Sequence, residues 1–479
     1  MVISSPSSLQ EKFNIMATTK SKNNKNQVEI AIASDPNNSK TILDFINNEL
    51  REYAVYDNSR SIPSVVDGLK TSQRKVIYTS FTLKKGVMIK TTALGAKASD
   101  LTHYKHGEAS IVGTVIKLAQ DYAGSNNYPL LEKDGQFGTA QYNQSSSPRY
   151  IHVSRSDAID NMFDTHDREI VKYLKFDGES IEPEYYLPKL PLILINGSVG
   201  IGNGYSTKIL TRDVSKVAEY VKSKVETGEA NPDLLLPSFN GFNGRIEQVT
   251  QNSYKIYGKI ERLSSTKFAI TELPPFSSFQ YENVKERVLI PMKMNNVISD
   301  FENESQDGKW NIIISHKREF GLKTDDEIIE MLKLFEKSSE NITAWGFDNK
   351  LKVFKSAQEL ADYWIENRCG WYQVHKDHVL GKMKVKNAYQ YNLMKLVEYW
   401  LANPSITSLK KGPLLAELAT IVDDKEHIAK FLDQNILSLT SERVAKLKKD
   451  ISELLKEQRA LEKKTKEDLF IQEVSKFVK

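Results

Sequence analysis

Cysteine is almost missing from these 479 residues: Cys369 stands alone. No internal disulfide can form, and a reducing, cytoplasmic setting is expected. Apolar runs are short as well. No stretch reaches the roughly 18 residues that a membrane helix needs, so no membrane span is expected. The opening MVISSPSSLQEKFNIMATTK has no basic segment followed by an apolar block, which argues against a secretory signal. Acidic residues are absent between Asp67 and Asp100, yet Lys70, Arg74, Lys75, Lys84, Lys85, Lys90 and Lys97 fall there. In a chain of net charge +4 this imbalance is local. A solvated helix face is one account of it; a polyanion laid against the segment explains the single sign better.

Nucleotide-loop chemistry is missing too. In NGSVGIGNGYST, Asn196 to Thr207, Gly202 is followed by Asn203 and Gly204, where a phosphate-binding loop needs Lys and then Ser or Thr. Tyr205 stands where a dinucleotide fingerprint needs glycine. What remains is a tight loop allowing close backbone approach, with Ile201 at its tip. That side chain is either tucked into a core or a wedge between base pairs. His103 and His106, like His375 and His378, have helical spacing but no convincing carboxylate or cysteine companion, so no metal site is expected.

What is present is a change of period along the chain. Residues 1–39 are rich in Ser, Asn and Lys and read as a mobile extension. TILDFINNELREYAVY, from Thr41, carries apolar residues at helical spacing. A turn at Asp67-Gly68 leads to a helix from about Ser72, capped by Thr71 or Ser72. HGEASIVGTVIKLAQDYAG gives a further helix, its apolar face made of Ile111, Val112, Val115, Ile116 and Ala119. With a strand following, these elements suggest a helix-turn-helix or winged-helix module. From about Gly241, RIEQVT, SYKIYGKIERL, KFAITEL, WNIIISHK and NITAWGFDNKLKVF alternate as strands, the last with a turn near Asp348-Asn349. After Ser356 the pattern is helical. Val444, Leu447, Ile451, Leu454 and Leu461 keep heptad spacing, Gln458 interrupting, which predicts a coiled-coil strand with the helix around Ala357–Ala402 as its antiparallel mate.

In QSSSPRYIHVSRS, Gln144 to Ser156, a polar loop passes through Arg149 and Tyr150 into what reads as a strand. A phenol ordinarily ionises near pH 10, about three units above neutrality, so Tyr150 would be a weak nucleophile without cations to stabilise the phenolate. Attack on a phosphodiester gathers negative charge on the phosphoryl oxygens, which neighbouring arginines would offset. Spacing alone leaves Tyr150 either a nucleophile or a packing residue.

Several stretches together carry a resemblance. IPSVVDGLKTSQRKVIY, YKHGEAS, GSNNYPLLEKDGQFGT, SPRYI and LPLILINGSVGIGNGYSTKI are similar, in order and spacing, to the breakage-reunion region of type IIA DNA topoisomerases. The chain's size most resembles the medium subunit of large-bacteriophage enzymes. The resemblance implies an α+β multidomain fold: a winged-helix breakage-reunion domain over 40–190, an α/β tower over 191–355, and over 356–479 a long antiparallel coiled coil ending in a helical dimer gate. It implies that Tyr150 becomes linked to a 5′ phosphate, assisted by Arg149 and Arg60. It implies further that Lys70, Gln73, Arg74, His106 and Ile201 contact DNA, Ile201 as the wedge. Gln73 and Lys105 stand where some relatives carry histidine, leaving His106 alone in that cluster.

The resemblance also implies partners: duplex DNA, an ATPase/Toprim large subunit holding ATP and Mg²⁺, and a second copy of this chain through the C-terminal gate. A phage-encoded chain would work in the infected host's cytoplasm. A non-catalytic DNA-bending winged-helix protein, with Tyr150 structural, is the alternative.

Overall fold

Residues 41–306, 308–435 and 439–478 are described by the computed structural model. The extension expected over residues 1–39 lies outside the described residues. Thr41 Oγ1 accepts from the Asp44 N–H at 3.1 Å and starts a helix that runs through a π-helical segment, Phe45–Leu50, into α1, Arg51–Ser61. Its apolar spacing finds no cover among the described residues: Leu43, Ile46 and Tyr53 are all exposed. The buried loop that follows turns at Gly68, whose N–H donates to Ser64 O at 2.8 Å. The next helix, α2, spans Thr71–Ser80. Neither Thr71 nor Ser72 caps it. Lys70 holds that position, and Gln73 Oε1 accepts its backbone N–H at 2.8 Å.

The two-residue strand β1, Ile89–Lys90, leads directly into α3, Thr91–Leu101. This helix was not legible: Leu94 and Ala98 are too few to mark a stripe. Helix α4, Glu108–Ala119, buries Ile111, Val112, Val115, Leu118 and Ala119. Its inner face is rotated from the expected one, because Leu118 is buried where Ile116 is only partly so. Strands β2, Leu131–Asp134, and β3, His152–Arg155, complete an antiparallel sheet in the order β1-β3-β2. Three helices on this small sheet form the winged-helix arrangement.

Two hairpins follow, β4 (Tyr173–Phe176) with β5 (Glu179–Pro183), and β6 (Ser198–Ile201) with β7 (Ser206–Ile209). The second corrects the reading of the glycine-dense stretch, which is a hairpin with a tight turn. Helix α5, Val214–Thr227, starts on Asp213, whose side chain accepts from the Lys216 N–H, and stops at Gly228. The first hydrophobic core holds Val76, Ile111, Val153, Ile193 and Val217 together with Trp364 and Phe470. It therefore takes in residues on both sides of position 190 and the root of the coiled coil.

Beyond it lie β8 (Ile246–Thr250), β9 (Ser253–Tyr257), β10 (Lys259–Ser264), β11 (Lys267–Glu272), β12 (Ile298–Asn303), β13 (Ile312–His316) and β14 (Phe335–Ser339). They form two antiparallel sheets, β10-β11-β13-β12 and β14-β9-β8. The cross-strand pairs Phe268↔Ile314 and Ile270↔Ile312 point into a second core, which is why the alternation in KFAITEL and WNIIISHK was legible. Strands β15 (Ile342–Trp345) and β16 (Leu351–Phe354) pair around the expected turn, where Asn349 takes a positive φ.

Ser356 then caps α6, Ala357–Ala402, a helix about 70 Å long at 1.5 Å per residue. It pairs with α7, Ser441–Lys463, in the antiparallel sense: Lys448 bonds Glu398 at 2.8 Å, and Lys376 reaches the Glu462 and Lys464 carbonyls at 2.9 and 2.6 Å. Val444, Leu447 and Leu454 are buried there, while Ile451 and Leu461 are partly exposed. After α7, α8 (Lys466–Val474) returns Phe470 and Val474 to the first core. At the far end, Leu396, Leu418, Ile428 and Phe431 form a separate core. No helix among the described residues is long and apolar enough to cross a membrane.

Candidate functional site

Tyr150 stands where a long wing returns to its sheet. The chain leaves β2 at Asp134 and re-enters as β3 at His152. At the base of the loop Phe137 is buried, and its carbonyl accepts from Gln120 Nε2 at 2.8 Å; the Ser146 N–H donates to Gln136 O at 2.9 Å. Ile151, next to the tyrosine, is also buried. Its carbonyl accepts from both the N–H and the hydroxyl of Thr91, at 3.0 and 2.9 Å. Those two hydrogen bonds fix the backbone beside Tyr150 while leaving the side chain 72% exposed. Arg149 is exposed as well. Among the described residues neither side chain has a hydrogen-bond, ion-pair or ring partner. The pair does not open a strand, as the sequence suggested; it precedes one, so the pleat does not dictate where the two side chains point.

A second group gathers at the end of α1. Tyr56 and Arg60 lie one turn apart on the helix, and the guanidinium carbon sits 5.9 Å from the centre of the tyrosine ring. The Tyr56 hydroxyl meets His106 Nε2 at 2.8 Å. Burial, and after it the positive charge of Arg60, holds the His106 imidazole below its ordinary range. The shift favours the neutral ring, a hydrogen-bonding group, over the cation.

The β6–β7 hairpin is stapled to the same place. Lys70 Nζ donates to Val199 O at 2.7 Å, and Asn58 Nδ2 donates to Asn203 O at 3.0 Å. Burial, and then the charge of Lys117, lowers the Lys70 ammonium from its ordinary range. The approach is close enough to demand glycine. A Cβ at Gly200 would sit 2.0 Å from Ser61 O, and one at Gly202 would sit 2.0 Å from Asn58 Oδ1. Ile201 between them is 82% exposed, so it is not tucked into a core.

Gln73 and Arg74 face inward instead. Gln73 is the cap of α2 described above. Arg74, expected at the DNA backbone, is buried with Nε 2.7 Å from Asp67 Oδ2 and Nη2 3.1 Å from Oδ1. Asp67, fully buried, accepts further N–H bonds from Leu69 and Tyr186, each at 3.0 Å. A buried carboxylate needs a paired cation, and Arg74 is spent on that task. The basic stretch is likewise only partly free. Lys75 bonds Glu182 at 2.6 Å and Lys85 pairs with Asp157, whereas Lys84, Lys90 and Lys97 are exposed without an ion-pair partner among the described residues.

The fold thus brings Arg60, His106, Lys70 and the hairpin of Ile201 together. Arg149 and Tyr150 stand apart on the wing, with no hydrogen bond, ion pair or ring contact to that group. Sequence reasoning missed Tyr56, Asn58 and Asp67. Only Tyr56 had a local signal, its four-residue spacing from Arg60. The donor set of arginines, lysine, imidazole and phenols does not fit Mg²⁺, which takes carboxylate and water oxygens.

Similarity to known proteins extends over most of the chain. Residues 60–476 match the family model for the DNA gyrase/topoisomerase IV A-subunit. DNA topoisomerase 2-alpha of Gallus gallus is 36% identical over 360 residues, 73% of this chain and 23% of that protein. DNA topoisomerase 2 of Saccharomyces cerevisiae is 33% identical over 366 residues, 74% of this chain and 25% of that protein. The chain therefore spans 23% and 25% of the length of these two relatives. Among solved structures, the Plasmodium falciparum topoisomerase II DNA-binding, cleavage and re-ligation domain superposes with a TM-score of 0.82 at 28% identity. That likeness covers 91% of this chain and 63% of the other. The chain belongs to the DNA gyrase/topoisomerase IV A-subunit family.

Proposed function

We propose that this chain is the breakage-reunion component of an ATP-dependent type IIA DNA topoisomerase. Tyr150 Oη attacks a backbone phosphorus, forming an O–P bond as the bond to the 3′ oxygen breaks. The phenol's proton leaves, and the 3′ oxygen takes one up. The phosphotyrosine ester keeps the bond's energy, so the reverse attack reseals the strand without ATP at that step. Arg149 and Arg60 offset charge on the phosphoryl oxygens, Lys70 and His106 hold the strand, and Ile201 wedges between base pairs. Gln73 and Arg74 act from beneath by shaping the loop that carries Lys70.

The observation that carries this reading is the exposed, unpartnered Arg149-Tyr150 pair on a wing whose next residue is buried and doubly hydrogen-bonded. A structural tyrosine would be packed or bonded. ATP and Mg²⁺ belong, in this reading, to an ATPase/Toprim partner polypeptide. The apolar face of Leu43, Ile46 and Tyr53, uncovered among the described residues, supports a partner there. Two copies are needed for a double-strand break, and the separate core at the far end of the coiled coil supports closure of a homodimer gate at that end. Cytoplasmic action and a bacteriophage-type division of subunits complete the reading.

The test is a cleavage trap with this chain, a candidate ATPase/Toprim partner, Mg²⁺ and internally labelled duplex, quenched with SDS. A protein-linked 5′ end that disappears in Tyr150→Phe is expected. DNA bending without any adduct in the wild type would overturn the enzymatic reading in favour of an architectural one.

A further inference from the structure

The joint between the winged-helix region and the coiled coil holds a cluster that DNA cleavage does not use. The short helix Thr165–Ile170 lies against α6, and buried bonds fix its register. Arg368 Nη2 reaches Asp167 Oδ2 at 2.6 Å, and His375 Nδ1 meets Asp167 Oδ1 at 2.7 Å. One turn further along α6, His378 Nε2 lies 2.7 Å from Glu169 Oε2. On the short helix, i,i+3 spacing puts His166 on the same face as Glu169, with Nδ1 3.7 Å from Oε2. His166 Nδ1 is shut off from solvent and has no hydrogen bond.

We propose that His166, Glu169 and His378 form a binding site for a divalent transition-metal ion such as Zn²⁺. Their three ligand atoms lie within 4.8 Å of one another. Two imidazole nitrogens and one carboxylate oxygen form a donor set that zinc commonly takes, at bond lengths of about 2.0–2.2 Å. Tetrahedral donors around such an ion stand about 3.4 Å apart, so side-chain shifts of roughly an ångström close the site. Lys382 Nζ bonds both carboxylate oxygens, at 2.9 and 2.8 Å. In the loaded site it keeps Oε1 and leaves Oε2 to the metal, fixing the carboxylate's orientation. Water fills the fourth position, because Glu169 is exposed. The bound ion ties the winged-helix region to α6. Sequence could not show this: the nearby His375 is taken up by Asp167, and both partners of His378 come from a helix more than two hundred residues earlier.

The experiment is a Co²⁺ titration of the full chain without a histidine tag, read by the visible ligand-field band. One Co²⁺ per chain with a strong tetrahedral band, displaced by one equivalent of Zn²⁺, is expected. His166→Asn and His378→Gln should each weaken binding by about tenfold or more, with metal-free unfolding temperatures near the wild type, while His103→Asn leaves it unchanged. The wild-type spectrum decides by itself if a variant fails to fold. Absence of the band, or a band that survives both substitutions in folded protein, would overturn the proposal.

Discussion

The same residue type is used in opposite ways at two depths of this molecule. Arg60 and Arg149 lie at or near the surface without a carboxylate partner among the described residues, whereas Arg74, Arg212 and Arg368 are buried on Asp67, Glu340 and Asp167. The pairs of Arg212 with Glu340 and of Arg368 with Asp167 close contacts distant in sequence, whereas Arg74 and Asp67 close a local loop. Arg212 and Glu340 lock the exit of β7 to the connection between β14 and β15, with Glu340 Oε1 also accepting the Leu210 N–H at 2.7 Å. A buried ion pair is weak support for stability by itself, since desolvation offsets much of the attraction. Losing one partner is different, because the other is left charged in a dry interior. The inner arginines therefore matter through geometry, and the outer ones are free to meet an external anion.

Breaking the inner layer should give the largest effect. Asp67→Ala leaves Arg74 unpaired and frees the loop carrying Lys70, and is expected to cost about 3–5 kcal/mol in urea unfolding. Asp67→Leu combined with Arg74→Met should recover most of it, because the pair is then replaced by apolar volume. If the double variant is no more stable than the single one, the loop needs the carboxylate's bonds to Leu69 and Tyr186 more than the ion pair.

Breaking the outer layer should leave stability alone. Arg149→Ala and Arg60→Ala are expected to change unfolding by less than about 0.5 kcal/mol, as exposed substitutions usually do. Each should lower the cleavage rate by about 100-fold to 1,000-fold, the usual result of removing one donor from a developing charge. A smaller effect follows for Ile201→Ala. With no core contact to lose, stability is again unchanged, and loss of the wedge should lower DNA bending and cut cleavage by about tenfold. A destabilised Ile201→Ala would contradict the exposed position of that side chain.

These contrasts mark how far the sequence could be read. Period-two and heptad patterns survived folding because they follow from burial on one face, as in Phe268 and Ile270 or Val444 and Leu447. Tyr150, Arg149 and Ile201 were singled out through ordered motifs, and the fold leaves all three side chains exposed. The inner layer was not legible. Arg74 sits beside Lys70 in a basic run, and nothing local says that it turns inward. Its partner becomes visible only when Tyr186 and Leu69 close around Asp67. Helix α3 was missed for a simpler reason: its small buried residues, Gly95 and Ala98, carry little hydrophobic signal.

His106 belongs to neither layer, and its expected effect is the smallest. Its imidazole is held low by burial and by Arg60, so the folded state binds a proton less readily than the unfolded chain. The stability linked to that difference is present above the unfolded value of about 6.5 and is lost as pH falls through the lower, folded value. His106→Gln keeps a hydrogen-bonding group near Tyr56 without the titration. Wild type should therefore lose slightly more stability than His106→Gln between pH 7 and pH 5. Arg60→Ala, which removes one cause of the depression, should lie between them. If Arg60→Ala leaves the wild-type pH profile unchanged, burial alone sets the imidazole and the arginine's field is directed elsewhere. The outer arginines would then be electrostatically independent of the histidine at their side, and the grouping at the end of α1 would be one of contact only.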